Sequence, residues 1–356
     1  MSRFGWMRRR WKLILNIVTL AALLILIFAI RNQISDTIGN LAKVNAAALF
    51  LMIPVEALNY HSQTRLYQRL FLLVGNKLDY AYLFKASLEL NFVNHVFPSG
   101  GVTGLSYFSL RLREGQKLTG AKATLVHFMK LALIFLSFEV LIIFGLLSLA
   151  ALGRVNNLII LVAGSLSTIL LIGTVGFFYM VEKRSRINQF FTILSKALNR
   201  LIQIIMPKYP ETINISQAKV VVDDFHANYI QIRQSYRRLK VPFLYALLAN
   251  ITEVMALYVV FIAFGHFVNI GAVILAYAIA NFAGLISVLP GGVGIYEVLM
   301  TTVLAATGVP AAVSLPVIVM YRLLNTLIQI PPGYFLYQRT LHNGSRLPGT
   351  EGSITP

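Results

Sequence analysis

The chain has 356 residues, of which 57% are hydrophobic and only 12% charged, against roughly 25% charged in a soluble domain. A mean hydropathy of +0.71 and the absence of cysteine exclude a water-soluble enzyme and a secreted disulfide scaffold. The net charge of +18 does not point to a nucleic-acid partner, because the cations cluster beside apolar blocks. Arg3, Arg8, Arg9, Arg10 and Lys12 precede the first block, and eleven more lie between Glu182 and Lys240. The positive-inside rule gives cytoplasmic segments this distribution, and it suits a surface of anionic headgroups.

A hydrocarbon core about 30 Å thick needs about 20 apolar residues per helix. Leu13 to Ile30 is an 18-residue uncharged block. No small-x-small cleavage site follows it at Ala29-Ile30-Arg31-Asn32, so it reads as a retained anchor rather than a signal peptide. Further apolar segments are predicted at 44–60, 80–97, 121–150, 157–181, 241–264, 268–289 and 311–338. Shorter pieces at 102–110 and 295–307 each follow a glycine cluster and cannot cross alone. A segment that ends at such a cluster and continues as a half-length helix reads as broken or re-entrant. Backbone of that kind survives at membrane depth only when buried in protein or lining a wet cavity.

With the N-terminus placed in the cytoplasm, Arg65, Arg69 and Lys77 fall inside, then Arg111, Arg113, Lys117 and Lys122, and then the long basic stretch. Arg339 and Arg346 follow the last span, so both termini are expected in the cytoplasm. Full crossing by each hairpin gives the same termini. The expected fold is an all-α polytopic membrane protein of about six to eight transmembrane helices with two glycine-interrupted hairpins. The two clusters are alike: Pro98-Ser-Gly-Gly-Val-Thr-Gly104 and Pro290-Gly-Gly-Val-Gly294, each preceded by an Asn-Phe pair, Asn91-Phe92 and Asn281-Phe282. Three spans separate them, so the hairpins open to opposite sides. Similar interrupted helices of opposite orientation point to an inverted repeat with its site near the midplane.

Residues 182–240 are too polar to cross. Phe190, Leu194, Ala197, Leu198, Leu201 and Ile205 recur at helical spacing, as do Val221, Val222, Phe225, Tyr229, Ile232 and Tyr236. These stripes predict cytoplasmic amphipathic helices at the interface. They are either a link between the halves or a docking surface. They belong to a membrane domain spanning 1–340, followed by a short polar tail, 341–356.

Ionisable groups within membrane segments cost about 2.5–3.5 kcal/mol each at mid-helix. Here they are Glu56, Lys85, Glu89, Lys130, Glu139, Glu253, Glu297 and Arg322. Lys85 and Glu89, four apart, are expected to neutralise one another. Glu297, three residues after the second cluster, suits either a helix cap or a ligand role. Arg322, Asn325 and Gln329 form one polar stripe on the last span, and the Arg322 guanidinium can grip a phosphate bidentately or pair with Glu297 or Glu253. Ser87, Asn91, Asn94 and His95 line a second polar face, running toward Pro98, Gly100 and Gly101. The glycines there let the backbone turn tightly and present N–H groups to an anion. His127 with Lys130, and Asn250 with Glu253, share helix faces and suit interhelical bonding. No HExxH, Walker A lysine, GxSxG or cysteine ligand set is present, so neither an enzyme, a cofactor nor a metal is expected.

Phe97-Pro98-Ser99-Gly100-Gly101, followed by Arg111 and Gly115, resembles the first motif of the lysylphosphatidylglycerol synthase transmembrane (flippase-like) family. Pro290, Gly291, Gly292, Gly294 and Glu297, then Gly308-Val309-Pro310 and Arg322, are similar to its second. The resemblance spans nearly the whole chain. It implies a multi-pass protein of a prokaryotic cytoplasmic (inner) membrane that moves an anionic phospholipid, an aminoacyl-phospholipid or a polyprenyl-phosphate-linked lipid between leaflets. Larger relatives carry an aminoacyl-transferase domain after the membrane part. Here about 18 residues follow the last span, so lysyl transfer is not expected. Asn94, Pro98, Gly100, Gly101, Arg111, Lys130, Glu253, Pro290, Gly291, Gly292, Gly294, Glu297, Arg322 and Asn325 are the expected lipid contacts. The alternative is a non-transporting membrane scaffold for a glycosyltransferase or lipid-modifying enzyme, held through 182–240.

Overall fold

The computed structural model describes residues 44–97, 102–116, 118–190, 192–193, 215–286 and 294–343, with isolated positions before residue 44. The expected anchor at 13–30 falls largely outside the described residues. So do the first amphipathic stripe from Leu194 onward and the tail from 344. The described elements are helices: α1 (Met52–Leu73), α2 (Tyr80–Val96), α3 (Val102–Gln116), α4 (Gly120–Ala150), α5 (Asn157–Glu182), α6 (Ile215–Gln234), α7 (Lys240–Ala263), α8 (Ile270–Ile286), α9 (Ile295–Ala306) and α10 (Ala311–Asn343). Of these α4, α5, α10 and the stretch Tyr236–Ala263 that contains α7 are long and apolar enough to cross a bilayer, and α8 and α9 supply shorter apolar helices. Ile143, Phe144, Leu147, Ile160, Leu161, Ile172 and Val175, on α4 and α5, are all more than half exposed. Such a belt is stable against lipid tails rather than water.

The expected segment 44–60 takes a different form. Asn45 caps a single turn, Ala46–Leu49, and α1 then runs on to Leu73, so Arg65 and Arg69 lie on the helix rather than in a loop. Pro54 is no obstacle, because it stands in the first turn, where its missing N–H has no helical partner to lose. In the basic region α6 buries Val222, Phe225, Tyr229 and Ile232 in one apolar cluster with Val181, Ile187 and the N-terminal half of α4. Tyr236, the last member of that expected stripe, is exposed.

Two sets of the described helices are structural repeats of one another. Helices α1 to α4 and α7 to α10 repeat one order: a long helix, a 17-residue helix, a short helix and a long helix. Both α1 and α7 end in the same Schellman turn. Asn76 N donates to Phe71 O and His266 N to Phe261 O, each at 2.9 Å, while Gly75 N reaches Leu72 O and Gly265 N reaches Ile262 O. Gly75 and Gly265 take φ of 79° and 78°, the left-handed region that other residues enter at a cost. Asp79 then caps α2 through Tyr82 N, and Asn269 accepts from Gly271 N at the start of α8. Each of these matched pairs, and Asn91 with Asn281, is 190 positions apart, the same spacing as the hydrogen-bonded pair Asn59 and Ala249.

That last pair fixes the relation between the repeats. Asn45 N bonds Ala263 O, and fourteen residues further along, Asn59 Nδ2 bonds Ala249 O, fourteen residues back. Numbers rise on one helix as they fall on its neighbour, so α1 and α7 are antiparallel. An approximate two-fold axis therefore crosses them at right angles near Asn59 and Ala249, which is the geometry of an inverted repeat. The repeats interlock, with α2 packed on α10 and, equivalently, α8 packed on α4. Among the described residues two large apolar cores result, with a smaller one of Phe92, Val93, Val96, Tyr337 and Leu341 between α2 and α10. Of the large ones, one holds Leu66, Phe71, Leu125, Leu133 and Ala246; the other holds Met52, Phe138, Leu149, Val254 and Phe261. Between them, the middles of α1, α4 and α7 carry polar side chains.

Candidate functional site

A cavity of about 390 Å³ lies at this middle level, lined from α1, α2, α4, α5, α7, α8, α9 and α10. Its size is that of a small-molecule site. Asn59 and Ala249, the residues beside the two-fold axis, are in its wall. Helical periodicity explains the convergence. Asn59 and Gln63 are four apart on α1, Asn91, Asn94 and His95 share a face of α2, Tyr277 and Asn281 share one of α8, and Arg322, Asn325 and Gln329 share one of α10. Much of the apolar lining comes from Leu131, Ile134, Phe135 and Phe138 of α4, the helix that also carries Lys130, with Leu170 of α5. The cavity is amphipathic, and this part of its lining comes from the two helices that present the exposed belt.

Two hydrogen-bonded chains organise the polar side. In the first, Lys130 Nζ donates to Gln63 Oε1 at 2.8 Å, Gln63 Nε2 to Asn59 Oδ1 at 2.7 Å, and Asn59 Nδ2 to Ala249 O and Thr252 Oγ1. The Lys130 ammonium also lies 4.7 Å above the Tyr67 ring. Among the described residues no carboxylate is within ion-pair distance of it. In the second chain, Asn91 Nδ2 donates to Tyr60 Oη at 2.6 Å and Gln329 Oε1 at 2.7 Å, while Gln329 Nε2 donates to Glu56 Oε2 and Asn325 Oδ1.

Arg322 is differently placed. Its guanidinium pairs with Glu297 and stacks over Tyr296 at 4.8 Å. The other Glu297 oxygen accepts from Gly294 N at 2.7 Å, so one carboxylate both caps α9 and neutralises the arginine. Glu253 faces the cavity with Tyr321 Oη donating to it at 3.2 Å and Tyr277 beside it.

Of the residues singled out in the sequence, the structure brings Asn94, Lys130, Glu253, Arg322 and Asn325 to the cavity wall. Glu297 stands behind Arg322, and Gly294 is the N-cap of α9. Arg111 is not in the lining. Its Nε donates at 3.0 Å to Glu89, whose carboxylate also accepts from Tyr107 and Thr340 and so ties α2, α3 and α10 together. Glu89 is therefore neutralised by Arg111 rather than by Lys85, which is exposed. Pro98, Gly100, Gly101, Pro290, Gly291 and Gly292 lie outside the described residues. His127 bonds Tyr67 Oη at 2.8 Å, and Asn250 bonds Ile134 O and Ser137 Oγ, both as interhelical ties. Gln63, Tyr277, Tyr296 and Tyr321 were not singled out. Single polar residues on apolar helices give no sequence signal that separates a cavity wall from ordinary helix contact.

The family model described as "lysylphosphatidylglycerol synthase TM region" matches residues 13–333. A UPF0104 membrane protein of Methanothermobacter thermautotrophicus is 39% identical over 82 residues, 23% of this chain and 25% of the relative. A UPF0104 membrane protein of Pyrococcus horikoshii is 26% identical over 135 residues, 36% of this chain and 40% of the relative. The matched stretches thus span a quarter and two-fifths of those relatives' lengths.

Proposed function

Because the chain belongs to the lysylphosphatidylglycerol synthase transmembrane family, we propose that it is a lipid translocase. In this reading it moves an anionic phospholipid, an aminoacyl-phospholipid or a polyprenyl-phosphate-linked lipid between the leaflets of a prokaryotic cytoplasmic membrane, with both termini in the cytoplasm. Transport, not catalysis, is its task. The observation that carries the reading is the amphipathic cavity on the two-fold axis, lined by amides and the Lys130 ammonium together with leucine and phenylalanine side chains. A polar solute needs no such apolar lining. A lipid does, with its headgroup against α1, α7 and α10 and its chain along α4.

Lys130 is assigned to the headgroup phosphate. Arg322 already has a carboxylate, whereas Lys130 has an amide oxygen and an aromatic face. A half-buried cation with no carboxylate at ion-pair distance, feeling only the field of Glu253 across the cavity, favours an anion beside it. Arg322, with Glu297, holds α9 against α10, while Glu253, Asn94 and Asn325 face the rest of the headgroup. The glycine-interrupted helices re-enter the membrane and exchange access between leaflets.

The test is leaflet exchange in vesicles containing labelled anionic, aminoacylated and polyprenyl-phosphate lipids, comparing wild type with Lys130→Gln. Lipid-selective exchange that the variant loses supports the proposal. Folded protein that exchanges none of these lipids sinks it and favours a membrane scaffold holding an enzyme through residues 182–240.

A further inference from the structure

Glu56, on α1, is 1% exposed. Its Oε2 accepts one hydrogen bond, 3.0 Å from Gln329 Nε2. Its Oε1 is buried and has no hydrogen-bond partner. Among the described residues no cation lies within ion-pair distance of it. Burying an ionised carboxylate on these terms costs several kcal/mol, and one neutral amide does not offset that. A protonated carboxyl fits the same place, its carbonyl taking the Gln329 N–H.

The neighbours make matters worse for the ionised form. From α7, Glu253 brings a second acid into electrostatic contact. From α4, Lys130 is engaged by Gln63 and Tyr67, and His127 by Tyr67. Arg322 on α10 is neutralised by Glu297 on α9. On α2, His95 Nδ1 donates to Asn91 O and Glu89 is saturated by Arg111, Tyr107 and Thr340. Tyr60, Tyr277 and Tyr321 add hydroxyl groups but no charge at neutral pH.

We propose that Glu56 is a proton-binding site, exchanging through Glu253 with the cavity, that couples lipid movement to a proton gradient. This rests on the translocase reading. The link is Gln329, which joins Glu56 to Asn91 and Asn325 in one chain between α1, α2 and α10. That chain satisfies the carbonyl oxygen of a neutral Glu56 and supplies no second donor for an ionised one. When the O–H bond of Glu56 breaks, the proton passes to the Glu253 carboxylate and on to cavity water. The charge left on Glu56 then needs donors that the closed seam lacks, so ionisation favours separation of α2 from α10. Reloading from the other side restores the seam.

Two measurements test this in bilayers of phosphatidylglycerol and phosphatidylethanolamine. The first is the infrared carbonyl band of a protonated carboxyl near neutral pH, told from lipid esters by its shift in heavy water and read in a Glu253→Gln background, expected with Glu56 and lost in Glu56→Gln. The second is exchange of a fluorescent phosphatidylglycerol with and without an imposed pH gradient. The gradient is expected to raise the wild-type rate several-fold and to leave the rate of Glu56→Gln unchanged. Protein with Glu56 but without the band, or a Glu56→Gln variant that keeps it, overturns the proton site. Exchange that proceeds at the same rate with and without the gradient overturns the coupling and leaves the translocase reading intact. Absence of exchange in folded wild type overturns both the translocase reading and the coupling. If Glu56→Gln does not fold, the band in the Glu253→Gln background and the wild-type gradient ratio decide between the same outcomes.

Discussion

The seam between α2 and α10 and the seam between α8 and α4 occupy equivalent places in the two repeats, yet different chemistry holds them. Along α2 and α10 run Glu89 with Thr340 at 2.7 Å and Asn91 with Gln329 at 2.7 Å, and Gln329 reaches on to Glu56. Along α8 and α4, Phe138 stacks on Tyr277 and the Gly271 backbone meets that of Gly145 with no room for a Cβ on Gly271. Ser148 and Asn269 close its far end. One backbone plan thus occurs twice: both seams have aromatic contacts and a glycine without room for a Cβ, and the α2–α10 seam adds buried side-chain hydrogen bonds near its middle. A seam of buried hydrogen bonds has discrete states, because each donor left unmet costs about 1–3 kcal/mol. Small-residue contact can slide without breaking bonds.

The largest effect is expected where the polar side depends on a buried ion pair. Glu297→Ala removes the carboxylate paired with Arg322, whose side chain is only 13% exposed. Breaking such a pair from one side costs about 3–5 kcal/mol, so thermal unfolding in detergent should fall sharply. Arg322→Ala should do the same, and the double variant should lose much less than the sum. Lys130→Ala is expected to behave in the opposite sense. It removes a charge-assisted contact to the headgroup worth about 1.5–3 kcal/mol, which is about a ten- to hundredfold loss of exchange, with little change in unfolding. A Lys130 variant that unfolds while an Arg322 variant stays folded but inactive would reverse the two roles.

The seams themselves are compared most directly at Asn91 and Asn281. Asn91→Ala strands Tyr60 and Gln329 and should cost about 1–3 kcal/mol. Asn281, its counterpart, has no hydrogen-bond partner among the described residues and lines the cavity. Asn281→Ala should cost a few tenths of a kcal/mol, within the usual surface range, and show its effect in lipid selectivity. Equal destabilisation at both positions would mean that the seams are held alike.

Much of this plan was legible in the amino-acid sequence. Long apolar blocks marked α4, α5, α7 and α10, and the repeated Asn-Phe pair with its glycine cluster marked the structural repeat. The shift of α1 was not legible, because Glu56, Asn59 and Gln63 lower the apolar density where that helix is most buried. Its polar groups face α7 and α10, and hydropathy counts polarity without knowing what it faces. The site was half visible for the same reason. Arg322, Lys130 and Glu253 stand out as charges in apolar helices, but which of them is already paired is a matter of helix packing. Arg111 and Glu89 show this, being 22 positions apart and joined only when α3 folds back on α2.

The smallest prediction bears on the structural repeat itself. Gly75 and Gly265 end equivalent helices with the same two hydrogen bonds and nearly the same φ. A Cβ at either would meet nothing within 4 Å, so crowding plays no part and only the left-handed backbone matters. Alanine there should cost about 1–2 kcal/mol, by the same amount at both positions. Asparagine, which tolerates that conformation better, should recover part of the loss. Unfolding measurements on Gly75→Ala, Gly265→Ala and the two asparagine variants would check this. Equal losses would mean that the two turns remain mechanically equivalent although the seams beyond them have diverged. A loss at one glycine alone would mean that the repeats have diverged in stability as well as in chemistry.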